Sequence, residues 1–209
     1  RLPDLPFIAQ GGPGDLIDRS LQYSSERFRR IPLGGRPMGV HFGNQPNTLY
    51  VANYLRNSVQ VVSLETSSIV QEIELGGPET KTSARRGMEV FYDGTRSLDQ
   101  WYSCHTCHQD GGSNARPMDT MNDGSEMTLK TVLPLYNVTK TFPWTWHGWQ
   151  TNLMDSMEKS ITSTMQGEPP TERDKRDLIS FLSSLKSPPN PFLNRDGSLT
   201  EAAKRGKAV

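Results

Sequence analysis

The apolar positions of this chain follow two different rhythms. Between residues 28 and 77, short runs of alternating or β-branched residues are separated by turn formers, the pattern of strands. Met38 to Phe42 is the first run, Thr48 to Tyr54 (TLYVANY) the second and Ser58 to Leu64 (SVQVVSL) the third. Ser68 to Leu75, with Ile69, Ile73 and Leu75 in phase, is the fourth. Asn44, Pro46 and Asn47 mark one turn and Arg56-Asn57 another. Beyond residue 83 the period becomes helical: 84–92 (ARRGMEVFY) predicts a short helix, Asn152 to about Met165 a second, and Thr171 to Lys186 the clearest. In that last helix Leu178, Phe181, Leu182 and Leu185 fall at i, i+3, i+4 and i+7, one apolar stripe. Thr171 and Asp174 have capping-box spacing, and Pro188-Pro189 stops the helix. Residues 109–143 are loop-rich, with Gly111-Gly112, Asn122-Asp123-Gly124, Pro117, Pro134 and Pro143. The expected fold class is therefore mixed: a small antiparallel β-sheet followed by a mainly α domain.

Composition sharpens this picture in three ways. Lys+Arg and Asp+Glu are equal at 23 each among 209 residues, a balance that argues against a nucleic-acid partner. Apolar residues make up 33%, with 18 Gly and 15 Pro, too polar a chain for a large all-protein core. A bulky cofactor would supply part of the missing apolar volume, with disordered termini as the alternative. No run of 18 apolar residues exists, so no transmembrane segment is predicted. The chain begins at Arg1 without a Met or a leader's apolar core, which reads as a removed leader or, as the repeat near the C-terminus favours, a piece of a larger protein.

The two cysteines stand three residues apart in Cys104-His105-Thr106-Cys107-His108, which excludes a disulfide framework. C-x-x-C-H is the spacing of c-type haem attachment. Two thiols about one helical turn apart add across the two porphyrin vinyl groups, and the following histidine reaches the iron from one face. A redox dithiol would call for a thioredoxin-like βαβ context, which is absent. A structural zinc site would need four ligands, and no second C-x-x-C or H-x₃₋₅-H pair follows. The reading is one covalent haem c held by Cys104, Cys107 and His108.

The flanks of this motif resemble the cytochrome c fold, in which an N-terminal helix crosses a C-terminal one at close range. Gly87 and Phe91 match the glycine and aromatic of the first helix, and Phe181 and Leu182 its partner surface. Gly87, without a Cβ, would let the helices approach. For the sixth iron ligand Met165 stands first, 57 residues after His108 and six before Thr171. A thioether there would raise the haem potential relative to a second histidine. His147, within Trp144-Thr145-Trp146-His147-Gly148-Trp149, is its rival as ligand or pocket residue, with Trp146 as pocket wall. An open site, Met118, Met121 or Met127 also stay in play. Arg85, Arg86 and Arg116 are candidates to pair with haem propionates, against the plainer reading of solvated charge. His105 is expected to face solvent and His41 to be structural.

Two wider resemblances follow. Ile31-Pro32-Leu33-Gly34-Gly35 returns as Ile73-Glu74-Leu75-Gly76-Gly77, 42 residues later, and the stretch between resembles a YVTN-type β-propeller repeat. A single blade cannot close a propeller, so the likeness implies a last blade of a longer protein or a small sheet packed on the next domain; an unrelated meander is the alternative. Residues 84–187 resemble one haem domain of the dihaem cytochrome c peroxidase and MauG superfamily, through RRGMEVFYDG, SCHTCHQDGG, KTVLPLYNVTKTFPWTWHG and SMEKSITSTMQG. The acid of that family's aromatic-rich turn is unmatched, and His147 stands in or beside its place. Family members carry two haem domains, and Ala203 to Val209 matches Ala84 to Val90, offset by 119 residues, as if a second domain began there.

The expected organisation is a lead-in at 1–27, a blade-like segment at 28–80, a c-type cytochrome domain at 81–190, and a linker with the start of a truncated second haem domain at 191–209. The expected function is electron transfer outside the cytoplasm, in the periplasm or a comparable compartment. The partner would be a donor or acceptor protein or a second haem domain. A dihaem peroxidase or MauG-like oxidase is the alternative, weakened because no histidine lies between Gln109 and Trp146. The resemblance to dihaem relatives also raises a calcium ion near Asn122-Asp123-Gly124.

Overall fold

The computed structural model describes residues 29–208 except Glu79 and Glu126. The predicted lead-in at 1–27 lies outside the described residues. The chain divides into two compact units at the Glu79/Thr80 junction.

The first unit is an antiparallel meander of β1 (Pro37–Phe42), β2 (Thr48–Asn53), β3 (Ser58–Ser63) and β4 (Ser68–Glu74), hydrogen-bonded in that order. Three of the four strands stop one residue before the predicted end. At β2 the reason is that the Tyr54 N–H bonds the Arg36 carbonyl at 2.9 Å instead of continuing the ladder. Asn47, Asn57 and Ser67 take left-handed φ values of 58°, 57° and 52° in the three hairpin turns, a conformation asparagine tolerates better than most residues. One face buries Val51, Asn53, Ser58, Gln60 and Val62. Its polar members are satisfied. Asn53 Nδ2 donates to the Gly34 carbonyl at 2.6 Å and to Gln60 Oε1 at 3.1 Å, and its Oδ1 accepts from the Arg36 N–H at 2.9 Å. Gln60 Nε2 donates to the Leu33 carbonyl at 2.9 Å. Ser58 Oγ and the Arg56 guanidinium both donate to Glu72, at 2.6 and 2.8 Å, and these bonds pull its carboxyl down to about 2.

The second unit opens with α1 (Ser83–Tyr92), capped by Thr82, whose hydroxyl accepts from the Arg85 N–H. Two 3₁₀ turns lead to the single-turn α2 (Cys104–Cys107). A long loop follows, pinned by the short pair β5 (Pro117–Met118) and β6 (Lys130–Thr131). Then come α3 (Leu153–Lys159), α4 (Glu172–Ser184) and the exposed α5 (Glu201–Lys207). Among the described residues no helix is long and apolar enough to cross a membrane.

The core of this unit is the crossing of α1 and α4. Val90, Phe91, Leu178, Phe181 and Leu182 are all buried, with the Phe91 and Phe181 rings 5.1 Å apart. At the crossing point a Cβ on Gly87 would stand 1.9 Å from the Asp177 carbonyl oxygen, so the expected close approach through Gly87 is realised. The expected capping box is also present, with Thr171 and Asp174 exchanging bonds. Arg86 is not available as a propionate partner. Its guanidinium is bound bidentately to Asp177 at 2.6 and 2.9 Å across the crossing.

The single helix expected from Asn152 to Met165 is two segments. After Lys159 it widens into a π turn over Ser160–Thr164. The cause is legible in the hydroxyls: Ser160 Oγ takes the Ser156 carbonyl at 2.8 Å and Thr162 Oγ1 takes the Glu158 carbonyl at 2.9 Å. Such back-bonding competes with the helix ladder.

Candidate haem-binding site

The C-x-x-C-H segment is shaped by its neighbours. The Ser103 N–H donates to Thr106 Oγ1 at 3.1 Å, and the Thr106 N–H returns to the Ser103 carbonyl at 3.0 Å. This locks one helical turn, and at spacing i, i+3 the two thiols share a side. His108 then leaves the helix at φ −104°, ψ 66°, with its N–H on the Cys104 carbonyl at 2.9 Å.

All three residues border a cavity of about 480 Å³, within the size range of cofactor sites. Phe91, Leu133, Leu135, Val138, Leu178 and Leu182 give it apolar walls. Thr120, Asn122, Asp123 and Lys130 make a polar edge. The tryptophan turn closes another side. A bridge between Trp144 and Gln150 ties its ends, while the Trp144 and Trp146 indoles donate to the Val138 and Thr131 carbonyls at 2.7 and 2.8 Å. Met165, 4% exposed, is part of the same wall.

Electrostatics distinguish this site from a redox dithiol. Burial pushes the Cys104 thiol up to about 11, and burial also raises Cys107. Redox and nucleophilic cysteines show the reverse. Burial lowers the His108 imidazole, opposed by the backbone carbonyls of Leu133 and Gly112. The ring is therefore neutral at neutral pH, the form that binds a metal. Its Nδ1 is buried and has no hydrogen bond of good geometry to the protein. Paired thiols, a neutral histidine beside them, an apolar hollow and a buried thioether together fit a c-type haem.

The structure brings Cys104, Cys107, His108, Trp146, His147 and Met165 to one cavity. Trp146 (54% exposed) and His147 stand at its mouth rather than its depth. Arg116 is exposed and lies off the cavity wall, because the loop turns away where the Arg116 N–H bonds the Asn114 side chain at 3.0 Å. Of the other methionines, Met121 and Met127 are exposed and off the wall. Met118 is on it, with its sulfur 3.3 Å from Cys107 Sγ, at the thiol edge. His105 packs on the Tyr92 ring at 4.6 Å and lies off the wall. The calcium expectation finds no support: Asp123 is held by Lys130 and Ser125, which push its carboxyl well below the usual range. Among the described residues no three His, Cys, Asp or Glu side chains cluster as a metal site.

Tyr102, Lys130 and Tyr136 line the cavity and were not singled out from sequence. Lys130 reaches it through the two-residue pairing of β5 with β6, too short to leave a periodic signal. The sequence signal for Tyr102 is its place two residues before Cys104.

No curated protein matches this chain. A solved structure that does is hydrazine synthase of Kuenenia stuttgartiensis, pressurised with xenon, with 25% identity and a TM-score of 0.52. The match covers 63% of this chain and 45% of that one, so less than half the length of the solved relative is represented. The family profile for di-haem cytochrome c peroxidase matches residues 81–190, the span that holds the thiol pair, the histidine and the cavity. The chain thus belongs to the di-haem cytochrome c peroxidase family.

Proposed function

We propose that this chain is an electron-transfer module carrying one haem c. Cys104 and Cys107 form the thioether links, His108 is the proximal iron ligand and Met165 the distal one. The observation that carries this reading is buried Met165 lining the same apolar cavity that Cys104, Cys107 and His108 border. When bound, the haem supplies a one-electron iron centre. The protein's part is to hold two axial ligands in place and keep water off them, so that little rearranges as the electron moves. Trp146 and His147 form the mouth, where an electron would enter or leave. The partner is a second haem domain or a separate redox protein, and a covalently attached haem would be matured and used outside the cytoplasm. The four-stranded meander is read as one blade-like repeat of a longer β structure.

A second reading is favoured by the family itself, whose description is a peroxidase. In it the distal face is open and His147, at the mouth, serves as acid/base. Electron paramagnetic resonance and optical spectra of the purified holoprotein separate the two. Low-spin ferric iron that ignores hydrogen peroxide is expected for the module. A high-spin signal consumed by peroxide would favour the enzyme, and a pyridine haemochrome assay without covalent haem would sink both.

A further inference from the structure

The wall that carries Met165 departs from α geometry just before that residue. The Met165 N–H bonds the Ser160 carbonyl, five residues back, at 3.0 Å. One extra residue in a turn rotates everything after it by about 100° relative to a continued α-helix. Without the π turn a different face of the helix would meet the cavity. π turns recur at functional sites for this reason.

A second element grips the turn from the other side. The Leu98 N–H donates to the Met165 carbonyl at 2.9 Å. The Tyr102 hydroxyl donates to the Thr164 carbonyl. Gly167 passes so near this element that a Cβ would stand 1.8 Å from the Arg96 carbonyl oxygen. The same short stretch runs on into Ser103 and Cys104. The chain that sets the thiols therefore also sets the turn bearing the thioether. Within this grip Tyr102 is the tie made by a side chain, and Tyr102 itself lines the cavity.

We propose that Tyr102 is a positioning residue for Met165, locking the turn at 160–167 so that the thioether stays on the iron. This rests on Met165 being the distal ligand. Removing one such hydrogen bond should shift the balance between thioether-bound and thioether-free iron about three- to tenfold.

The test is imidazole binding to the ferric holoprotein, followed optically. Imidazole must displace the native ligand, so its apparent affinity reports how firmly that ligand is held. Tyr102→Phe should tighten imidazole binding by that same factor of about three to ten, with covalent haem content and far-ultraviolet dichroism unchanged. Met165→Leu should tighten it further and produce high-spin iron, and in that background Tyr102→Phe should add nothing. If Met165→Leu alters neither spin state nor imidazole affinity, the ligand assignment fails and takes the proposal with it. If Met165→Leu acts but Tyr102→Phe does not, the positioning role alone is overturned. An equal effect of Tyr102→Phe with and without Met165 overturns it as well.

Discussion

Gly87→Ala sets two well-measured effects against each other. Gly87 is in the interior of α1, where alanine is favoured over glycine by about 1 kcal/mol. On an isolated helix the change would stabilise. Here the new Cβ would meet the Asp177 carbonyl oxygen at 1.9 Å, its carbon at 2.4 Å and the Leu178 nitrogen at 2.8 Å. All three are backbone atoms of α4 and cannot rotate away. The helices must part by about 1.5 Å to restore ordinary contact distances. That opens the packing of Phe91 on Phe181 and stretches the Arg86–Asp177 pair. Overpacking against a rigid neighbour costs about 3 kcal/mol. The net loss is then about 2 kcal/mol, which for a unit of this size lowers the melting midpoint by about 8 °C. Thermal unfolding of the holoprotein, read by circular dichroism, measures it. An unchanged or raised midpoint would refute the close crossing.

Three further outcomes are expected. Thr171→Ala removes the hydroxyl that accepts from the Asp174 N–H and should cost about 1 kcal/mol, read from a urea midpoint. Asn53→Ala leaves the Arg36 N–H and the Gly34 carbonyl without their partner and should cost the sheet about 2 kcal/mol, read by hydrogen exchange of β2 and β3 amides. The Asp177 carboxyl is held below the usual range chiefly by its bonds to Arg86. The unfolded chain therefore takes up this proton at higher pH than the folded one. The stabilisation is full at neutral pH and fades as pH falls below about 4 towards the folded value. Asp177→Asn should flatten the acid limb of a stability–pH curve, and an unchanged limb would show that the pair is not its source.

Much of this structure is written in local chemistry that a linear reading can follow. The four strands appear because β-branched runs are set between turn formers such as Asn47 and Asn57, and α4 because its stripe and its Thr171–Asp174 cap agree. The motif from Cys104 to His108 is legible because thioether attachment demands that order. What escaped was set by distant partners. Arg86 looks like any surface arginine until α4 brings Asp177 to it. Arg116 is one arginine among many until the loop turns it outward. The break after Lys159 depends on which of several serines and threonines capture carbonyls behind them. Lys130 reaches the cavity through a strand pair of two residues.

The buried amides of the sheet carry one more consequence. Apolar alternation has a period of two, so it forbids β2 and β3 from sliding by one residue but is blind to a slide of two. In the observed pairing Val51 faces Gln60 and Asn53 faces Ser58. A slide of β3 by two residues leaves Val51 and Val62 on the buried face but takes Gln60 out of its diagonal place beside Asn53 and away from the Leu33 carbonyl. The Gln60 amide would then lose partners that water does not replace. The hydrophobic pattern chooses the face, and the two amides count the residues.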